Sequence, residues 1–236
     1  MFTSDTTGYL NRSIQNIRIG LLGEGMKAVI VCNGSVKDYD AIRKFFDNAD
    51  YIISVDGGAR HLRRLGITPD VLLGDFDSAA KEDIIYFQNQ GIIAETFPVE
   101  KDMTDSELAM ERALEKGADQ VIFVGAVGTR FDHSMANILL LKKLLDNKVS
   151  ACIADEHNRI YMFDSTFSLQ RQEGYKLSLI PVSNRVTGVT TTGLKYPLSN
   201  ATMHLGTSWG VSNEFNEDAA TVTIDEGILL ICLSRD

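Results

Sequence analysis

Residues 27–60 read KAVIVCNGSVKDYDAIRKFFDNADYIISVDGGAR, and the fold is decided there. A short β-branched apolar run (28–32) ends in the polar turn Asn33-Gly34-Ser35, a helical pattern follows (39–47), and a second apolar run (51–55) ends in Asp56-Gly57-Gly58. Continuously apolar strands separated by helices are the pattern of a parallel sheet buried on both faces. The alternation continues outward, with strands expected over 71–73, 92–97, 120–124 and 149–154 and helices over 59–65, 81–90, 106–116 and 132–146. Thr104-Asp105-Ser106-Glu107 forms a capping box ahead of LAMERALEK, and Gly117 supplies the stop. Residues 26–156 are therefore expected to form a Rossmann-like α/β domain.

Beyond about residue 155 the helical periodicity gives way to short alternating segments (160–163, 166–170, 176–180, 186–192, 227–233), which predict an all-β sandwich over 157–236. The boundary is expected in the polar turn 156–158. Residues 1–25 are polar and weakly periodic and stop just before the first strong strand, which reads as a flexible, dispensable extension.

Composition sets the outer limits. The 236 residues exceed the usual domain size of roughly 150, so one or two domains with a substantial core fit. Apolar residues at 44% and charged residues at 23% exclude a disordered chain, and 4 Pro with 19 Gly exclude a fibrous repeat. A net charge of −9 repels phosphate backbones and anionic lipid, so neither nucleic acid nor a membrane is an expected partner. Cys32, Cys152 and Cys232 lie in separate apolar runs with no CxxC, as buried small hydrophobes do. No apolar stretch approaches roughly 18 residues and no signal-peptide core opens the chain, so the cytoplasm is the expected location.

In an open parallel sheet ligands collect at the carboxyl ends of the strands. Every loop expected there carries glycine, carboxylate or both: Asn33-Gly34-Ser35, Asp56-Gly57-Gly58, Gly74-Asp75-Phe76-Asp77-Ser78, Lys101-Asp102-Met103-Thr104-Asp105, and Gly125 to His133. Asp75 and Asp77 are two apart, so an extended backbone points both carboxylates to one side. Mg²⁺ suits such a pair, because it takes one or two carboxylates and fills its shell with water and phosphate oxygens. A turn in which Asp77 or Ser78 caps the next helix is the plainer alternative. Asp105 adds a third carboxylate from another strand end, while also lying inside the capping box. Gly57-Gly58, and Gly125 with Gly128, admit a ligand close to the backbone, with the N–H groups at the following helix starts facing anionic oxygens. Arg130 suits bidentate phosphate contact, with a surface ion pair to Asp132 as its alternative, and His133 is able to bond a base or sugar, with a simply solvated helix-start histidine as the plainer reading. In the β half, GTSWGVSN (206–213) sets Trp209 beside Ser212 and Asn213, an aromatic plane with hydrogen-bonding neighbours that suits a flat heterocycle; packing of Trp209 into the core is the alternative. His61, His157 and His204 show no ligand spacing.

Taken in order, DGGAR (56–60), LGITPDVLLGDFDS (65–78), KDMTDSELAM (101–110), GAVGTRFDHSMANI (125–138), TTGLKYPL (191–198) and GTSWGVSNEF (206–215) resemble the thiamine pyrophosphokinase family over nearly the whole chain after Met26. The resemblance implies an N-terminal α/β domain with a C-terminal β-sandwich, and transfer of a pyrophosphoryl group from ATP to the hydroxyl of thiamine. It implies Asp75, Asp77 and Asp105 as Mg²⁺ ligands, and Asn33, Gly34, Asp56, Gly57, Gly58, Gly125, Gly128, Thr129, Arg130, Asp132 and His133 as parts of the nucleotide site. Asp77, Asp102 and Asp105 stand as the carboxylates able to accept the alcohol proton. Ser212 and Asn213 match positions that hold the aminopyrimidine of thiamine; Tyr196, where relatives carry Trp, and Trp209 are the aromatic candidates. The family also implies a homodimer with active sites at the subunit interface. Two rival readings accompany it. One takes Asp75-Phe76-Asp77 as the nucleophile and acid of a phosphatase, although that motif normally ends the first strand and here ends the third; the other makes the chain a non-catalytic nucleotide or thiamine sensor.

Overall fold

The computed structural model describes residues 17–19, 25–77, 79–96 and 102–236. The chain divides into two compact units, one of residues 1–22 and 163–232 and the other of residues 23–162 and 233–236. The first contains the short strand β1 (Ile17–Ile19).

The second unit is the expected α/β domain. Its strands are β2 (Lys27–Val31), β3 (Tyr51–Val55), β4 (Val71–Gly74), β5 (Ile93–Thr96), β6 (Gln120–Val124), β7 (Ser150–Ala154) and β8 (Asn158–Phe163), in the spatial order β8-β7-β6-β2-β3-β4-β5. Pairing is parallel from β7 through β5, and β8 joins β7 antiparallel. Ala28 to Val31 of β2 are 0% exposed, which is why that strand reads as an unbroken apolar run rather than an alternation. Helices α1 (Tyr39–Arg43), α2 (Ala59–Leu65), α3 (Lys81–Gln88), α4 (Asp105–Glu115) and α5 (Phe131–Asp146) connect the strands. Their apolar stripes enter the core: Leu62 of α2, Met110 of α4 and Leu144 of α5 are fully buried, each worth about 1.5–3 kcal/mol relative to exposure.

Element boundaries differ from expectation in ways with local causes. α1 stops at Arg43 and tightens into a 3-10 turn over Lys44–Phe46, which buries Phe45 and Phe46. α4 begins at Asp105 because Thr104 Oγ1 accepts the Glu107 N–H at 3.2 Å, as the capping box requires. β5 is an edge strand with Ile93 exposed; the last residue expected in it, Phe97, lies outside the described residues. The domain boundary also moves. The polar residues 156–158 are not a junction but part of a hairpin, in which Asp155 Oδ1 accepts from the His157 and Asn158 N–H groups and turns the chain back so that β8 pairs with β7. The division falls after Met162, and residues 233–236 belong to the α/β unit.

The other unit contains β9 (Thr166–Gln170), β10 (Lys176–Pro181), β11 (Arg185–Thr192), β12 (Ala201–His204), β13 (Ala219–Thr223) and β14 (Leu229–Ser234). One sheet has the order β1-β9-β13-β11-β12, and β10 lies beside β14. Inward positions alternate along the strands, with Phe167, Leu169, Leu177, Leu179, Val186, Met203 and Val222 buried. β12 and β13 were not anticipated, because ATMH and AATVT are short, small-residue segments with little apolar contrast. Part of the N-terminal segment expected to be a free extension is a strand: β1 pairs in parallel with β9, Ile17 to Thr166 through Ile19 to Ser168.

Candidate active site

In the α/β sheet the chain runs from β2 outward through β3, β4 and β5, then returns to β6 on the opposite side of β2 and continues to β7. Connections leaving β2 and β6 therefore diverge, and a crevice opens at their carboxyl ends, where Val31 is paired with Val124. A cavity of about 490 Å³ occupies this point. Its wall includes Asn33, Gly34, Asp56, Asp105, Gly125, Gly128, Thr129, Arg130 and His133. Both α4, through Thr104 to Ser106, and α5, through Gly128 to Ser134, present their N-terminal ends to it, so exposed N–H dipoles favour an anionic ligand.

The glycine loops are locked to one another. Cys32 N–H donates to Val124 O at 2.8 Å and Gly34 N–H to Gly125 O at 2.7 Å. Gly125 has φ +67, and a side chain there would crowd the Cys32 carbonyl oxygen, so a left-handed, side-chain-free residue is required. From α5, Ser134 Oγ accepts the Gly128 N–H at 3.0 Å and donates to Arg130 O at 3.0 Å, and the Asn137 amide donates to Ala126 O at 2.7 Å. The N–H groups of Gly34 and Gly128 thus have internal acceptors, which leaves the N–H groups at the helix starts to face an anionic ligand. Ser134 and Asn137 were missed; their spacing of three on a helix opening beside a glycine loop was the available signal. Gly57 and Gly58 have a steric requirement of their own. They are buried and lie outside the cavity wall, in a 3-10 turn packed so tightly on β2 that a Cβ at Gly58 would collide with the Val31 carbonyl and one at Gly57 with the Asn33 side chain.

The carboxylates group differently from the sequence reading. β4 ends at Gly74, Phe76 has φ +59, and Asp77 N–H donates to Asp75 Oδ1 at 3.0 Å, so residues 75–77 form a turn rather than the extended strand expected from the two-residue spacing. Ser78 lies outside the described residues. Asp56 instead joins the set: it has φ +46, packs on Gly74, and accepts the Phe76 N–H at 3.4 Å. Burial pushes the Asp56 carboxyl up to about 6, with further upward pressure from the hydrogen-bonded Asp105 and from Asp75, against the Phe76 N–H. Asp56, Asp75 and Asp105 thus supply hard oxygen donors in a locally over-negative spot, the donor chemistry a Mg²⁺ ion fits. They are not a ready-made cage: among the described residues no group of three or more His, Cys, Asp or Glu side chains is arranged to hold a metal ion. Asp77, Asp102 and Asp132 lie outside the cavity wall.

Arg130 pairs with Asp132 through Nη2 to Oδ2 at 2.6 Å, the surface ion pair weighed as its alternative. Both side chains are mostly exposed and water screens the pair, so Arg130 remains available to a stronger anion at the cavity rim.

In the β unit, Asn213 grips the backbone of Tyr196, accepting its N–H at Oδ1 (3.1 Å) and donating Nδ2–H to its carbonyl (2.8 Å). Ser212 has φ +62 and donates its N–H to Ser178 Oγ at 3.0 Å. Trp209 is 51% exposed and Tyr196 60%, so Trp209 is not a core residue. Tyr196, Ser212 and Asn213 form one corner with Trp209 three residues before Ser212. All three cysteines are free; Cys32 and Cys152 are buried as expected, whereas Cys232 is only partly buried. Among the described residues no helix is long and apolar enough to cross a membrane.

Two family models match, the thiamin pyrophosphokinase catalytic domain over residues 42–153 and the thiamin pyrophosphokinase vitamin B1 binding domain over residues 165–229. The chain is 32% identical to a thiamine pyrophosphokinase of Bacillus subtilis over 214 residues, 89% of this chain and 100% of that protein. It is 26% identical to thiamine pyrophosphokinase 1 of Oryza sativa, over 86% of this chain and 85% of the relative. The crystal structure of thiamine pyrophosphokinase from Bacillus subtilis superposes with a TM-score of 0.82 at 31% identity, covering 89% of this chain and 99% of that one. That of Geobacillus thermodenitrificans gives 0.79 at 33% identity, over 89% and 98%.

Proposed function

Because this chain belongs to the thiamine pyrophosphokinase family, we propose that it transfers a pyrophosphoryl group from ATP to the hydroxyl of thiamine, giving thiamine diphosphate and AMP. The observation that carries the reading is the position of the cavity: it lies at the switch point of the α/β sheet, walled by two glycine loops, two helix N-termini, Asp56, Asp105 and Arg130.

In the reaction the thiamine hydroxyl oxygen bonds to the β-phosphorus, the bond from that phosphorus to the bridging oxygen breaks, and AMP leaves with the bridging oxygen. The hydroxyl proton goes to a carboxylate. Of Asp77, Asp102 and Asp105, Asp105 is the one in the cavity wall, which supports it as the acceptor. Catalysis of this kind is mainly positioning and charge stabilisation. Locked glycine loops supply the positioning, since their conformation does not depend on the ligand, and Arg130 leaves Asp132 to meet the phosphate chain. Asp56, Asp75 and Asp105 would hold Mg²⁺, with Asp77 of the same turn the remaining candidate ligand, and the ion would neutralise phosphate charge that an acidic protein otherwise repels. The thiamine ring is assigned to the Tyr196, Trp209, Ser212 and Asn213 region, whose exposed aromatic faces and amide suit a cationic heterocycle. A cytoplasmic homodimer with active sites at the subunit interface belongs to the same proposal; full activity in a sedimenting monomer contradicts it.

The test is to incubate purified protein with ATP, Mg²⁺ and thiamine and separate the products. AMP formed only when thiamine is present supports the reading. A covalent phosphate on Asp75 with thiamine-independent hydrolysis favours the phosphatase, and binding of both ligands without product favours the sensor.

A further inference from the structure

The wall of the cavity rests on a tether that the transfer chemistry itself does not use. While the Gly34 N–H donates to Gly125 O, the Gly34 carbonyl accepts from His61 Nε2 at 2.8 Å and from Arg60 Nη2 at 3.3 Å, and Arg60 Nη2 also donates to Asn33 O at 2.7 Å. A carbonyl only accepts, so His61 carries its proton on Nε2 and its Nδ1 is an acceptor. Tyr39 OH, 2.7 Å away, donates to that nitrogen. The Arg64 guanidinium lies over the Tyr39 ring, 4.3 Å from its centroid, and helps to hold the phenol in place. His61 is 2% exposed, and neither it, Arg60 nor Tyr39 belongs to the cavity wall. Burial brings the His61 imidazole down to about 4; the Gly34 carbonyl and Glu156 oppose this, and Arg60 and Arg64 reinforce it. The ring is therefore neutral near pH 7, with both nitrogens occupied.

We propose that His61, oriented by Tyr39, is a positioning residue for the nucleotide: by drawing the Gly34 carbonyl toward α2 it keeps an acceptor oxygen out of the cavity and fixes the 33–35 wall against which the phosphate chain lies. The proposal rests on the reading that ATP occupies this cavity. A carbonyl free to rotate inward would set lone pairs against phosphate oxygens, and the loop would lose the conformation that Gly125 and Gly34 share.

The test compares wild type with His61→Phe, His61→Gln and Tyr39→Phe in steady-state kinetics and in equilibrium binding of a fluorescent ATP analogue. Phe keeps the ring and removes both hydrogen bonds; Gln can restore an N–H to Gly34. One lost hydrogen bond of this kind corresponds to about tenfold. His61→Phe is expected to raise the KM for ATP about tenfold with the thiamine KM and kcat within about twofold, His61→Gln to recover most of the loss, and Tyr39→Phe to raise the ATP KM about threefold. An unchanged ATP KM in folded His61→Phe, an equal rise in both KM values, or His61→Gln as impaired as His61→Phe overturns the proposal. If His61→Phe does not fold, Tyr39→Phe decides, and an unchanged ATP KM there overturns it. The two readings separate cleanly. Wild type that binds nucleotide without turnover, with weaker binding in His61→Phe, sinks the transfer reaction and supports the tether; wild type that binds no nucleotide sinks both.

Discussion

The two candidate binding regions are built on opposite principles. At the switch point of the α/β sheet the wall is largely backbone held by internal cross-links, Gly34 to Gly125, Gly128 to Ser134 and Ala126 to Asn137, with Gly125 and Ala126 buried and Gly128 at the exposed rim. In the β unit the Tyr196–Asn213 corner is side chain and exposed, with Asn213 steadying a turn and two aromatic rings open to solvent. A phosphate chain is spherical in its demands and is served by fixed dipoles and charges, whereas a flat cationic ring is served by movable aromatic faces. Substitutions should therefore act on catalysis, stability or nucleotide affinity in the first region and on thiamine affinity in the second.

The largest expected effect breaks the first region alone. Asp75→Asn, Asp77→Asn or Asp105→Asn should each leave the far-ultraviolet circular dichroism unchanged while lowering turnover at least about a hundredfold, or about 2.7 kcal/mol in the barrier. Near-wild-type rates in Asp75→Asn and Asp105→Asn would remove the carboxylates from the chemistry, and a normal Asp77→Asn alone would leave Asp56 as the third member. Next comes stability. Gly58→Ala must push the turn off the Val31 carbonyl and should cost about 2 kcal/mol in chemical denaturation, with a lowered midpoint. A smaller effect should appear in the second region: Tyr196→Ala or Trp209→Ala raises the KM for thiamine about tenfold, with the ATP KM and thermal midpoint unchanged.

The smallest is a pH effect. His61 titrates from an ordinary value of 6.5 down to about 4, so the unfolded chain takes up the proton first and the stability His61 contributes at high pH is lost as pH falls through this window. Asp56, pushed up, acts in the opposite sense in the same range and obscures the effect in wild type. The stability difference between wild type and His61→Gln should isolate it, shrinking by about 1 kcal/mol between about pH 7.5 and about pH 5.5. A constant difference would contradict the buried neutral imidazole.

What could be read from the sequence followed the strength of the local signal. The strands β3 and β6 and the helix α2 are bounded as expected because uninterrupted apolar runs and cap residues define them. β12 and β13 escaped notice because small residues give no contrast. In the site, the loop carrying Arg130 and His133 was legible from its glycines, but the partnership of Asp56 with Asp105 was not, since the residues are 49 apart and meet only because parallel pairing aligns the strand ends. Gly57 and Gly58 were read as ligand contacts when steric closeness to β2 is their requirement; both uses demand glycine, and composition cannot separate them. His61 lacks ligand spacing because its partners are a carbonyl and a phenol.

The most direct measurement follows the fate of label from ATP carrying ³²P in the γ position, mixed with protein, Mg²⁺ and thiamine. Attack at the β-phosphorus requires the label to appear in thiamine diphosphate as unlabelled AMP accumulates in equal amount. Label released as inorganic phosphate, or product formed together with ADP, would contradict a pyrophosphoryl transfer at this cavity.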